Sequence, residues 1–273
     1  MKLSIFTDEI SPDPARAIEL ATSWKIPAVE VRGLPGGRFP LPGDAELEEF
    51  GQRVADAGLS ISGVSPGFSK GPVDDPEFEQ LLSYGLPRAC EWAGRWGTDR
   101  VSCFAFERSP AGPVPEAVIA RLARMAEIAA RFRCRLLLEN EAVCWGDTGL
   151  EAAAIVRRVN APNFALLWDP GNSAKAGSAC PFPDEYTRLK DCVQHVHLKN
   201  YAPDTGGWAL METGIVDWPA QFRALEEDGY AGYLVIESHL RELPDGATAE
   251  PGLTPQETNS WRNRAFVRAH LDL

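Results

Sequence analysis

Apolar residues along the chain follow two alternating rhythms. Short runs rich in Val, Ile, Leu and Phe recur at "LSIFT" (3–7), "AVEVR" (28–32), "LSISGV" (59–64), "RVSCFAF" (100–106), "RLLLEN" (135–140), "FALLWD" (164–169), "VQHVHLK" (193–199) and "YLVIES" (233–238). Their length and composition predict strands. Between them the apolar spacing changes to three and four residues. In 115–132, Val118, Leu122, Met125, Ala129 and Phe132 form one helical stripe. The stretch 44–58 reads as a helix with Asp44 as N-cap and Gly58 as its stop. The stretch 217–230 reads as one capped by Asp217, with Pro219 in the first turn and Gly229 past the end. A last helix is predicted over 255–271.

Eight strands alternating with helices predict an α/β fold, a single-domain (β/α)₈ TIM barrel over 1–273. The rival, a doubly wound open sheet, usually stops at fewer strands and often carries a Gly-rich first turn, which this chain lacks. Loop lengths agree with the barrel. Helix-to-strand connections are short, whereas strand-to-helix connections such as 33–44, 65–76, 200–218 and 239–255 are long and rich in Gly, Pro or Trp. In such barrels the loops after the strands build the functional face.

Charge narrows the partners. Asp and Glu number 39 against 27 Lys and Arg, a net charge of -12, which disfavours nucleic acid and anionic membranes. The N-terminal apolar run is broken by Asp8 and Glu9, too soon for a leader or a membrane span. The six cysteines show no CxxC spacing and read as reduced, so a cytoplasmic location is expected. The sequence leaves open whether copies of the chain form a homo-oligomer.

The strand ends carry the chemistry. Consecutive strands finish in Glu139, Asp169, His197 and Glu237. Carboxylates gathered in one barrel mouth repel one another and lose hydration, and a divalent cation cancels that penalty. Two Glu, one Asp and one His suit Mn²⁺, Mg²⁺ or Co²⁺ and tolerate Zn²⁺. In an extended strand His195, His197 and Lys199 share a face. His197, nearer the mouth, is the expected ligand, and His195 lies deeper as a hydrogen-bonding group. Glu9, Glu30, Glu107 and Glu141 fall at or just past strand ends. Trp145, Phe68 and Trp208 lie in mouth loops, as do Arg32, Arg38, Lys70, Arg108, Lys175 and Arg241, any of which would suit a phosphate or carboxylate. His239 is read as a substrate or rim group, and His270 as structural.

These residues, with "FTDEIS", "AVEVRG", "LLLENE", "WDPGN", "HVHLKN", "TGIVDW" and "YLVIESH", resemble the xylose isomerase-like TIM barrel superfamily, in its sugar phosphate isomerase/epimerase branch. The resemblance covers nearly the whole chain. It implies one divalent metal on Glu139, Asp169, His197 and Glu237, a small carbohydrate substrate, and Glu139 and Glu237 moving protons through a metal-stabilised enediolate. It also implies substrate contacts from Asn172 and Lys199; His195, Glu141, Glu9 and Glu30 complete the expected substrate-binding set. Three departures fall beside the site: Asn200 where Asp is frequent, "ETG" (212–214) where "GEG" is common, and Glu141 where His is often found. The alternative reading is a metal-dependent dehydratase acting on a cyclic polyol or dehydroshikimate-like substrate. A phosphodiester hydrolase like the AP endonucleases is disfavoured by four histidines and the acidic charge.

Overall fold

The structure is a computed structural model and describes residues 1–108 and 112–273. Eight parallel strands close into a barrel: β1 (Lys2–Phe6), β2 (Ala28–Val31), β3 (Ser60–Phe68), β4 (Arg100–Cys103), β5 (Arg135–Glu139), β6 (Phe164–Trp168), β7 (Val193–Leu198) and β8 (Tyr233–Ile236). Order around the ring is chain order, and β8 pairs back onto β1 with Lys2 opposite Tyr233 and Ile5 opposite Ile236. The main helices outside are α1 (Pro14–Ser23), α2 (Asp44–Asp56), α3 (Leu86–Arg95), α4 (Glu116–Arg131), α5 (Gly149–Val159), α6 (Tyr186–Leu189), α7 (Trp218–Glu227) and α8 (Pro255–His270).

The predicted stripe of α4 faces the sheet: Val118, Leu122, Met125 and Ala129 are fully buried. Each large apolar side chain so buried contributes about 1.5–3 kcal/mol. Helix α7 starts as expected, the Asp217 carboxylate accepting from the Ala220 N–H at 3.0 Å. Helix α2 does not. Its N-cap is Gly43, and Asp44 is the first helical residue, its carboxylate 2.6 Å from Arg88 Nη1. An extended backbone at Gly43 sets that boundary one residue early. The predicted fourth strand also divides. Residues Arg100–Cys103 belong to the barrel, while Ala105–Glu107 leave it to pair antiparallel with Cys144–Trp145. No helix among the described residues is long and apolar enough to cross a membrane.

One layer of the barrel interior is polar. Strands β2 and β7 are not neighbours, yet His195 Nε2 lies 2.7 Å from Glu30 Oε2, so the contact crosses the lumen. Ser62 and Ser65 of β3 add hydrogen bonds to the Glu30 carboxylate at 3.2 and 3.0 Å. Ser4 and Ser102 extend the network through hydroxyl contacts of 2.7 and 3.0 Å.

Candidate metal centre

Above that layer the ends of β5 to β8 converge. Glu139 is the last residue of β5, Asp169 follows β6, His197 lies near the end of β7, and Glu237 follows β8. Each offers a ligand atom, and these atoms all lie within 4.8 Å of one another. All four residues are buried, with Glu139 the most accessible at 5%. His197 Nδ1 sits 3.1 Å from Glu237 Oε2 and 3.4 Å from Glu139 Oε1.

Asp169 Oδ2, His197 Nδ1 and Glu237 Oε2 are buried without a hydrogen bond of good geometry. Buried polar atoms are rarely left so. Three carboxylates and one imidazole converging on one buried spot, with the single ammonium of Lys199 among them, fit a divalent cation.

Local backbone explains the placement. The other oxygen of Asp169 accepts from Asn172 N–H at 2.9 Å, capping the short helix Pro170–Lys175 and turning Oδ2 inward. Asn140, next to Glu139, points the other way and clamps β5 to β6. Its amide donates to Asp169 O at 2.8 Å and its carbonyl accepts from Asp169 N–H at 2.9 Å. Gly171 permits a close approach to β7, since a Cβ there would lie 2.9 Å from the Lys199 carbonyl.

The charges are interlocked. Lys199, inside the site, places Nζ 2.8 Å from both Asp169 Oδ2 and Glu237 Oε2. Burial alone would discharge it, but Asp169, Glu237 and Glu139 raise its pKa. Burial pushes the Asp169 carboxyl up to about 6; Lys199 opposes the shift, while the Glu237 and Glu139 carboxylates add to it. Burial likewise acts against a charged His197, yet Glu139, Glu237 and Glu30 raise its pKa well above the ordinary value. Arg32, just past β2, binds Asp8, Glu9 and Glu237 at 2.9, 2.8 and 2.6 Å and lies over the Phe6 ring.

The remaining predicted residues divide by position. Asn172 is buried among the candidate ligands, its amide 3.3 Å from Glu139 Oε1 and its carbonyl 3.2 Å from Lys199 Nζ. Glu9 is fully buried and held by Arg32, Ser238 and the His239 N–H. Glu141 stands at the rim, paired with Lys70 at 2.9 Å. Glu30 and His195 do not reach the mouth. Expected at the rim, Glu30 instead lies buried in the polar layer, its carboxylate held by His195, Ser62 and Ser65. Burial would raise its pKa, but His195 and then His197 hold the carboxylate well below the usual range.

His239 does not continue the face of Glu237, for β8 ends at Ile236 and His239 takes a left-handed backbone at φ 55°. Its ring reaches Glu9 Oε1 at 2.9 Å and Glu237 Oε1 at 3.3 Å and sits beside Trp208. Trp145 is buried under Arg108. The substitution at Asn200 has a structural reason. Its amide donates to Met211 O and Val216 O, and its carbonyl accepts from Val216 N–H, so an Asp would lose both donors. Arg32 and Asn140 are the groups sequence reading under-weighted. In the sequence Arg32 is one of six mouth cations, and Asn140 is only part of a motif.

A family model described as xylose isomerase-like TIM barrel matches residues 18–264. The chain belongs to that family. No curated protein matches it. Among solved structures it is similar to the probable 3-DHS dehydratase AsbF of Bacillus anthracis, with 16% identity, 98% of this chain and 99% of that chain covered, and a TM-score of 0.77. It is similar to D-allulose 3-epimerase from Methylomonas sp. in complex with D-allulose, at 18% identity, 99% and 97% coverage and TM-score 0.75. A xylose isomerase-like TIM barrel protein from Mycobacterium smegmatis in complex with magnesium matches at 22% identity, 93% and 86% coverage and TM-score 0.69. Identities this low speak for the fold.

Proposed function

We propose that the protein is a divalent-metal-dependent isomerase or epimerase of a small carbohydrate, with the metal held by Glu139, Asp169, His197 and Glu237. The observation that carries this reading is the buried cluster of four ligand atoms, three carboxylate and one imidazole, within 4.8 Å of one another. A bound divalent ion supplies Lewis-acid polarisation of a carbonyl and stabilises negative charge beside it.

Glu139 and Glu237 are the acid–base pair. They stand on β5 and just past β8, three strands apart around the ring, so one removes the proton from the carbon next to the carbonyl and the other returns one. Return to the opposite face inverts that carbon, and return to the neighbouring carbon moves the carbonyl. Lys199 and Asn172 hold substrate oxygens, and Trp208, under the Lys175 and Lys199 ammonium groups at 4.7 and 5.0 Å, walls the mouth.

Dehydration is the second reading, favoured by the likeness to the probable dehydratase. It uses the same proton abstraction and ends in loss of a hydroxyl. Elemental analysis of the purified protein, then solvent-deuterium incorporation into a panel of ketoses and polyols, tests both. Deuterium at an α carbon without loss of water supports isomerisation or epimerisation. Deuterium with water loss supports the dehydratase. Glu139→Gln should slow exchange by about 10²–10⁴-fold, the usual worth of a positioned acid–base group. A protein that binds no divalent ion and exchanges no substrate proton would overturn the reading.

A further inference from the structure

Charged side chains at the mouth form two adjoining clusters that share Glu237. The first is the candidate metal centre at the ends of β5 to β8. The second continues around the ring past β8 and β1, where Glu9, Glu237 and His239 have ligand atoms that also lie within 4.8 Å of one another. Glu237 serves the two clusters through different oxygens. Its Oε2 meets His197 and Lys199 at 3.1 and 2.8 Å, and its Oε1 meets Arg32 and His239 at 2.6 and 3.3 Å. Two neighbouring ligand sets joined by one carboxylate are the frame of a two-ion centre.

In the second cluster the place of an ion is taken. The Arg32 guanidinium donates from Nη1 to Glu237 Oε1, from Nη2 to Glu9 Oε1 at 2.8 Å and from Nε to Asp8 Oδ2 at 2.9 Å. It is stacked on Phe6, with its central carbon 4.7 Å from the ring centroid. Glu9 is turned toward it much as Asp169 is turned toward the first cluster. Its Oε2 accepts from the Ser238 hydroxyl and the His239 N–H at 3.1 and 2.9 Å, which leaves Oε1 for the cation. A guanidinium does not lose its charge, and its fork fits several carboxylates at once. Lys199 fills the first cluster less completely, since its single ammonium pairs with Asp169 and Glu237, two of the four candidate ligands.

We infer that Arg32 is a built-in cation standing in the second place of a two-place centre, and that it restricts the protein to one divalent ion. This rests on the proposed reading of the metal centre. The consequence is a choice of chemistry. Two ions clamp the attacking and leaving oxygens of a phosphoester displacement, whereas one ion beside a carbonyl supports proton transfer. Arg32 also holds Glu237 Oε1, so Glu237 turns only Oε2 to the first cluster. Without the guanidinium, Asp8, Glu9 and Glu237 lose their shared counter-charge. Glu9 and Glu237 are buried, and buried carboxylates in that state destabilise the fold unless another cation joins them.

Metal analysis and electron paramagnetic resonance on the manganese-loaded protein test this. The parent should hold one ion per chain, with an uncoupled signal. Arg32→Ala should hold two, with the multiline signal of a spin-coupled pair, and Arg32→Lys, which restores a cation, should return to one. Adding Glu9→Gln to Arg32→Ala should also return it to one. Without manganese the Tm of Arg32→Ala should fall below the parent's, and manganese should raise it by several degrees more than it raises the parent. Arg32→Gln, which keeps a polar contact to the carboxylates, is read in the same way if the alanine variant does not fold. The inference fails if the folded variant holds a single ion, if the parent itself takes a coupled pair, or if neither variant folds with manganese present, which would make Arg32 a structural cross-link. A parent that binds no ion while Arg32→Ala binds one keeps Arg32 as the internal cation and loses the metal reading. A parent and variant that both bind none overturn both.

Discussion

Glu30 Oε1 lies 3.1 Å from His197 Nε2, on the side of the ring away from the candidate metal centre. A carboxylate only accepts, so a hydrogen is on Nε2, and a divalent ion among Glu139, Asp169 and Glu237 would displace the proton from Nδ1 and take its lone pair. His195 Nε2 meets the other oxygen of the same carboxylate at 2.7 Å. Glu30 therefore sets tautomer and ring angle together. Glu30→Gln keeps the volume but places an amide against these donors. It should weaken manganese binding by about 10–100-fold, as loss of such a supporting carboxylate commonly does. Titration of variant and parent by calorimetry gives the comparison, and equal affinities would remove Glu30 from the metal's support.

Asp169 offers a cleaner separation of charge from shape. Its Oδ1 caps the Pro170–Lys175 helix and an Asn would keep that bond, while Oδ2 faces the cluster. Asp169→Asn should fold and lose metal. In the parent, manganese at a hundredfold excess over its Kd should stabilise by about 2.7 kcal/mol, read as a rise in Tm of several degrees. In the variant the rise should disappear. A rise of equal size in both would mean that the ion binds elsewhere.

Much of this is legible in the sequence because the barrel has a simple rule. Residues that end apolar runs on successive strands meet at one mouth, so the sequence alone groups Glu139, Asp169, His197 and Glu237. Depth within the lumen follows no such rule. The histidine partners of Glu30 are 165 and 167 residues away across the barrel, and strand periodicity gives the face a side chain shares without its height. The same limit hid Arg32, whose carboxylates come from the ends of β1 and β8. The sequence makes the fourth strand too long because Phe104 and Phe106 extend the apolar pattern, although Phe106 takes φ 62° and turns the chain into a separate two-stranded sheet.

The loop after β7 depends on one close approach. A Cβ on Gly214 would stand 2.1 Å from Asn200 Cγ, and Asn200 is fully buried with its hydrogen bonds made to this loop. Gly214→Ala should therefore cost about 1–3 kcal/mol, the range for overpacking a filled interior. Urea denaturation measures it. A difference under a few tenths of a kcal/mol would show that the loop yields without strain.

Helix α8 starts from a reciprocal cap. Thr254 Oγ1 accepts from Glu257 N–H at 3.2 Å, Glu257 Oε2 accepts from Thr254 N–H at 2.8 Å, and Glu257 Oε1 takes Arg16 Nε from α1 at 2.9 Å. Glu257→Ala should cost about 1–2 kcal/mol at neutral pH, as loss of a cap does. The cost should depend on pH. Burial raises the Glu257 carboxyl, but Arg16 and the Thr254 cap outweigh it and leave its pKa below the ordinary 4.5. A carboxyl lowered on folding stabilises above its unfolded pKa and loses that contribution as pH falls through the folded value. The gap between parent and variant should thus be full at pH 7 and narrow as the pH drops below about 4. Urea melts at both pH values test the sign, and a gap that stays constant would place the contribution in the packing of the side-chain stem and not in its charge.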